Sequence, residues 1–169
     1  MDKQSGQEGT PENKQLIIFI GKFLVAATVI FVIWIFVGKY YQAALLAVAD
    51  FFTRLIGYSP MQRAIMHPEN AYLGNFSLVS LLALAAVTPI PLVRRGKMLL
   101  IGLAILFAVH VIDVVAYFPA YFHHSEFAVM IVTYAIGICG LLAPFAIWYV
   151  FARELPWLKL GAQLKVKRH

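Results

Sequence analysis

Four long apolar stretches and one stretch of helical rhythm organise the chain. The first, Leu16 to Val37, is almost unbroken. It has the length of a membrane crossing, since about 20 apolar residues span the hydrocarbon core as a helix. Ala71 to Val93, Met98 to Phe118 and Phe127 to Phe151 repeat the pattern. Gln42 to Gly57 differs: Leu45, Val48, Ala49, Phe52, Leu55 and Ile56 recur at helical spacing, with Asp50 and Arg54 on the other side as an i,i+4 pair. This pattern predicts an amphipathic helix lying at the membrane interface, ended by Tyr58-Ser-Pro60. Thr88-Pro-Ile-Pro91 reads as a helix end just before Arg94, Arg95 and Lys97. The expected fold is all-α: a polytopic membrane bundle of four transmembrane helices (about 16–37, 71–93, 98–118 and 127–151) plus one amphipathic interfacial helix (42–57). Residues 1–15 read as a disordered cytoplasmic tail, 16–153 as a single membrane domain, and 154–169 as a basic cytoplasmic tail.

Composition agrees with this class. Of 169 residues, 62% are hydrophobic and 13% charged, against about 25% charged in soluble domains. The net charge of +6 would suit nucleic acid, but the basic residues sit at segment ends, where they set topology. Arg94, Arg95 and Lys97 share one connection, while the connection before Phe127 has no Lys or Arg. The positive-inside rule then puts the former, and both termini, in the cytoplasm, and the chain in the cytoplasmic (inner) membrane. The interfacial helix and His123-His124 face outside. Cys139 is the only cysteine, which excludes an internal disulfide or a cysteine-rich metal site.

The conspicuous polar residue is Asp113, inside the third apolar run with His110 one turn before it. A carboxylate there costs roughly 2.5–3.5 kcal/mol on insertion scales, so it normally faces protein or water. The topology gathers Asn75, Ser77, Ser80, His110, Asp113, His123, His124 and Glu126 toward the outer side, where they are expected to line one pocket. Four chemistries fit these residue types. A serine hydrolase would use Ser77 or Ser80, His110 or His124, and Asp113. Neither Ser, however, has a Gly-flanked elbow. A metal site would draw on His110, Asp113, His123, His124 and Glu126. The adjacent His123 and His124 point apart on regular structure. Tetrapyrrole ligation would use His110, with Gly102 allowing close approach. A packing network would bond His110 and Asp113 to each other or to Asn75 and Tyr134. Neither a metal nor another cofactor is assigned. Gly137-x-x-Gly140 with Ala143 fits close helix contact, within the chain or with a membrane-protein partner.

From about Tyr40 to Glu154 the chain resembles the exosortase/archaeosortase family of membrane transpeptidases. Asn75-Phe-Ser77 stands where that family has Cys-x-Gly, and Pro91-Leu-Val-Arg-Arg-Gly96 resembles its basic turn. His110-Val-Ile-Asp113 stands where it has Asn-x-x-Arg, and Tyr121-Phe-His-His-Ser125 resembles its aromatic loop with a His. The nucleophile position is Asn75, which cannot form a thioester. The Arg position is Asp113, of opposite charge, and only a His, as His123 or His124, is kept. Cys139 lies midway along the last run, where an inert thiol is expected. The resemblance implies a relative without transpeptidase activity that binds a partner helix or peptide at its outer face, as a subunit of a membrane complex or as a sorting component. The alternatives are a membrane hydrolase or metal enzyme using His110, Asp113 and His124, and a pigment- or haem-associated structural subunit.

Overall fold

The computed structural model describes residues 11–65, 76–130, 132, 134 and 137–153. It contains helices α1 (Pro11–Ile56), α2 (Pro60–Ile65), α3 (Phe76–Val87), α4 (Leu92–Phe122), α5 (Glu126–Met130) and α6 (Gly137–Ala152), and no strand among the described residues. Two of them, over Lys14–Ile56 and Leu92–Phe122, are long and apolar enough to cross a membrane. α3 and α6 are shorter apolar helices among the described residues.

The largest departure from the sequence expectation is α1. The first apolar run and the supposed interfacial helix are one uninterrupted helix of 46 residues, which also takes in positions 11–15 of the expected disordered tail. The expected gap between Val37 and Gln42 contains Gly38, and a single Gly costs a helix only about 1 kcal/mol relative to Ala. The buried face explains the continuity. Trp34, Gly38, Gln42, Leu45, Ala49 and Thr53 are buried in one stripe at i+3/i+4 spacing, running straight through Gly38. Of the amphipathic rhythm of 42–57, Leu45 and Ala49 belong to that stripe, while Val48, Phe52, Leu55 and Ile56 stay exposed. The Asp50–Arg54 ion pair forms on the outer side as expected.

α1 stops where the sequence places its end. Gly57 adopts φ +98°, the left-handed conformation that glycine enters without a Cβ clash. Its N–H donates to the Arg54 carbonyl at 3.0 Å, and the Tyr58 N–H donates to that of Thr53 at 3.1 Å, the bond pair of a Schellman motif. α2 then opens with a capping box: the Ser59 N–H donates to Gln62 Oε1 at 2.9 Å, and the Gln62 N–H donates to Ser59 Oγ at 3.3 Å.

α3 is the central element. It packs on α1, α4 and α6, and Leu78, Val79, Leu81, Ala83, Leu84 and Ala85 are all buried. Gly102 of α4 lets α3 approach: a Cβ there would lie 2.6 Å from Leu81 Cδ2 and 3.3 Å from Ile147 Cγ2 of α6. Gly140 of α6 has nothing within 4 Å of a built Cβ, so it makes no close helix contact among the described residues. Gly137 and Cys139 have side positions outside the described residues. Around this core the outer surfaces of α1, α4 and α6 stay apolar, with Leu24, Val29, Phe36, Leu100, Leu103, Leu141 and Phe145 among the exposed side chains.

At the α3–α4 connection, Thr88 is fully buried and ties three helices. Its hydroxyl donates to the Leu84 carbonyl and accepts from Trp148 Nε1 of α6 at 2.7 Å. Its carbonyl accepts from the Ile90 N–H and from Arg95 Nη2, both at 2.9 Å. Arg94, Arg95 and Lys97, expected in a turn, lie in the first turns of α4, because Pro91 is already its N-cap residue. The opposite end closes on aromatic contacts: Tyr58 packs on Phe118, Phe122 and His123, with ring centroids 5.0, 6.0 and 6.0 Å away. Burial there pushes the Tyr58 phenol pKa up.

Candidate functional site

The site centres on His110 of α4, a residue only 8% exposed. Tyr41 of α1 places its hydroxyl 2.8 Å from His110 Nδ1, and Ser77 of α3 places Oγ 3.0 Å from Nε2. One imidazole thus joins three helices through both of its nitrogens. The local folding follows from the elements. Tyr41 lies seven residues after Trp34 on the same face of α1, and the two rings stand 5.5 Å apart. Tyr41 also meets Phe107 edge-on at 5.7 Å, one turn before His110 on α4. Ser77, the second residue of α3, enters beside Phe76, which stacks on Phe31 of α1 at 5.4 Å.

A neutral imidazole carries one N–H and one acceptor nitrogen. Either the Tyr41 hydroxyl donates to Nδ1 while Nε2–H donates to Ser77, or Nδ1–H donates to Tyr41 while Ser77 donates to Nε2. The second tautomer has the hydrogen-bond order of nucleophile, base and orienting group. It differs in the third member, which is a neutral phenol rather than a carboxylate. A phenol fixes the ring but offers no charge to balance an imidazolium.

Asp113 does not join this cluster. Although it follows His110 by one turn, its carboxylate has no hydrogen-bond or ion-pair partner among the described residues, and it is half-buried. The expected His110–Asp113 bond is therefore replaced by bonds to Tyr41 and Ser77, because both imidazole nitrogens are already taken. Tyr134, the other expected partner, is 64% exposed. Ser80 lies one turn beyond Ser77 on α3 and is half-buried. Asn75 lies outside the described residues.

Among the described residues, His123, His124 and Glu126 are not gathered with His110. α4 continues from His110 to Phe122, so His123, His124 and Glu126 lie roughly 20 Å farther along the axis at 1.5 Å per residue. All three are exposed. His123 is the C-cap of α4, and its N–H donates to the Pro119 carbonyl at 3.1 Å. His124 turns the chain at φ 47°, in the left-handed region that His enters more readily than most residues. Glu126 opens α5, whose N-terminus is capped by Ser125 Oγ accepting from the Ala128 N–H at 3.4 Å. Among the described residues no three of His, Cys, Asp and Glu stand close enough to hold a metal ion. Gly102 is filled on its open side by Leu81 and Ile147, which serves helix packing.

Tyr41 is the member that sequence reasoning missed. Its signal was the spacing from Trp34, hidden because Tyr41 fell in the gap between the expected elements 16–37 and 42–57. No protein-family model, curated protein or solved structure matches the chain.

Proposed function

We propose that the chain is a non-catalytic, multi-pass membrane protein that receives a partner helix or peptide beside the His110 junction. In this reading α1, α3, α4 and α6 belong to four spans, with the basic end of the bundle and both termini in the cytoplasm. Supporting it are the side-by-side packing of these helices, their exposed apolar belt, and the gathering of Arg94, Arg95, Lys97 and Arg153 at one end. The exosortase-like kinship belongs to the same proposal. Ser77 and His110, which stand at the Gly position of Cys-x-Gly and the Asn position of Asn-x-x-Arg, are in hydrogen-bond contact. Asn75 and Asp113 replace the residues that the transpeptidase chemistry would need.

The observation that carries the non-catalytic reading is the pairing of both His110 nitrogens with neutral hydroxyls, with Asp113 left outside. The observation that favours partner binding is the length of α1 and α4 beyond that junction. From Tyr41 to Ile56 and from His110 to Phe122 they project by roughly 22 and 18 Å. They leave Phe51, Phe52, Leu55, Ile112 and Tyr117 exposed. An apolar helix or peptide laid against the outer surface of the α1–α4 pair would cover these side chains.

The Ser77–His110 bond also favours a rival, a serine hydrolase, and one experiment separates the two. The full chain in mild detergent is treated with a fluorophosphonate, and proteins that copurify from native membranes are identified. The expected result is no labelling at Ser77, and a partner set retained in Ser77→Ala and Asp113→Asn but reduced in Phe52→Lys and Ile112→Lys. Labelling at Ser77 that disappears in His110→Gln would overturn the non-catalytic reading and establish the hydrolase. Loss of partners in none of the four variants would remove the binding face.

A further inference from the structure

At the end of the bundle opposite the α1–α4 projection, a cavity of about 450 Å³ opens between the start of α4 and the end of α6. Arg94, Lys97 and Arg153 line it with Pro91, Val150 and Phe151. We propose that this cavity binds an anionic phosphate group, of the kind carried by a phospholipid headgroup or by free phosphate.

Three independent features converge there. First, three cationic side chains, Arg94 and Lys97 of α4 and Arg153 just past α6, line one cavity, and among the described residues no acid lines it. Second, α4 begins beside it at Pro91 without a side-chain cap. The first-turn N–H groups therefore lack a side-chain acceptor, and their partial positive charge favours an anion. Third, the walls formed by Val93, Val150 and Phe151 are apolar. A small hydrated ion gains nothing from such walls, whereas the glycerol and upper acyl carbons of a lipid would cover them.

Position along the bundle agrees with a headgroup. The cavity lies where the apolar run of α4 begins, roughly 22 Å along its axis from His110. In the proposed topology this is the inner leaflet, where anionic lipids attract basic residues near the surface. The lipid source rests on that membrane reading; binding of free phosphate does not.

The test uses the full chain, delipidated in neutral detergent and followed by native mass spectrometry. Dioleoylphosphatidylglycerol is titrated against dioleoylphosphatidylcholine, whose ammonium cancels the phosphate charge, and inorganic phosphate is added as competitor. Phosphatidylglycerol is expected to bind at least about tenfold tighter than phosphatidylcholine, with roughly fivefold lost for each cation removed. Arg94→Gln/Lys97→Gln and Lys97→Gln/Arg153→Gln should both abolish the preference, and Lys97→Arg should keep it, with helix content by circular dichroism as the folding control. Displacement by millimolar inorganic phosphate would identify the free ion as a sufficient ligand. Resistance to it alongside tight phosphatidylglycerol binding would identify the lipid. Equal binding of the two lipids together with no binding of phosphate, or a preference that survives in both double variants, would overturn the proposal. Failure at this cavity would leave the partner-binding reading at the other end untouched, since the two tests share no residue.

Discussion

Two hydrogen-bonded junctions tie α3 and α4 to their neighbours, one at Thr88 and one at His110, and they are built on different principles. At Thr88 every bond has a fixed direction. The hydroxyl donates to its own helix and accepts an indole N–H, while the carbonyl accepts a backbone N–H and a guanidinium. The residue is completely buried, so these bonds have no water to exchange with. At His110 both bonds are side chain to side chain, and a change of tautomer reverses both. Two of the three members, Tyr41 and Ser77, are only half-buried. The Thr88 junction suits a permanent joint. The His110 junction can rearrange without losing all its bonds, which suits the part of the bundle from which α1 and α4 project toward a partner.

The comparison is tested most severely by Thr88→Val. The substitution keeps the shape but removes the hydroxyl that accepts from the half-buried Trp148 indole N–H and donates to the Leu84 carbonyl, a loss of about 1–3 kcal/mol. Equilibrium unfolding in mixed micelles should register a loss in that range. A loss no larger than that of Tyr41→Phe would erase the distinction between the two junctions.

The packing between the junctions can be probed with two glycines of opposite surroundings. Gly102→Val forces side-chain carbon into Leu81 and Ile147 and should cost about 1–3 kcal/mol, less if Leu81 changes rotamer. Gly140→Val meets nothing among the described residues and should leave the unfolding midpoint of the isolated protein almost unchanged. Its effect, if any, belongs in copurification from native membranes. A destabilised Gly140→Val in the isolated chain would mean that α6 packs more closely than described.

Much of this arrangement was legible in the residue pattern, and the failures have a common cause. The Thr88–Pro91 helix end, the stop at Tyr58-Ser-Pro60 and the Asp50–Arg54 pair depend on local chemistry, and each stands where its residues put it. The continuity of α1 is hidden because the unbroken apolar run ends at Val37 and a different, amphipathic pattern begins at Gln42, while the buried stripe runs through Gly38 between them. The partners of His110 were not legible for a different reason. They depend on the rotation and axial register of three helices, and helices that expose apolar residues on their outer faces carry no sharp polar-to-apolar boundary from which rotation can be read. Asp113 drew attention as the costliest residue by composition. Geometry instead gave the junction to its neighbour, whose ring reaches both α1 and α3.

The smallest effect should come from the junction itself. Interhelical hydrogen bonds in membranes average about 0.6 kcal/mol, because the separated helices find other partners. Tyr41→Phe removes one such bond and keeps the ring against Trp34 and Phe107, so it should cost about that much. His110→Leu removes both and should cost about 1 kcal/mol. Combining the two should add nothing beyond His110→Leu, since the Tyr41 bond is already gone. A double variant that is the sum of its parts would show that Tyr41 and His110 are not coupled through this bond, and would leave the shared rings of Phe107 and Trp34 as what holds α1 against α4 at this level.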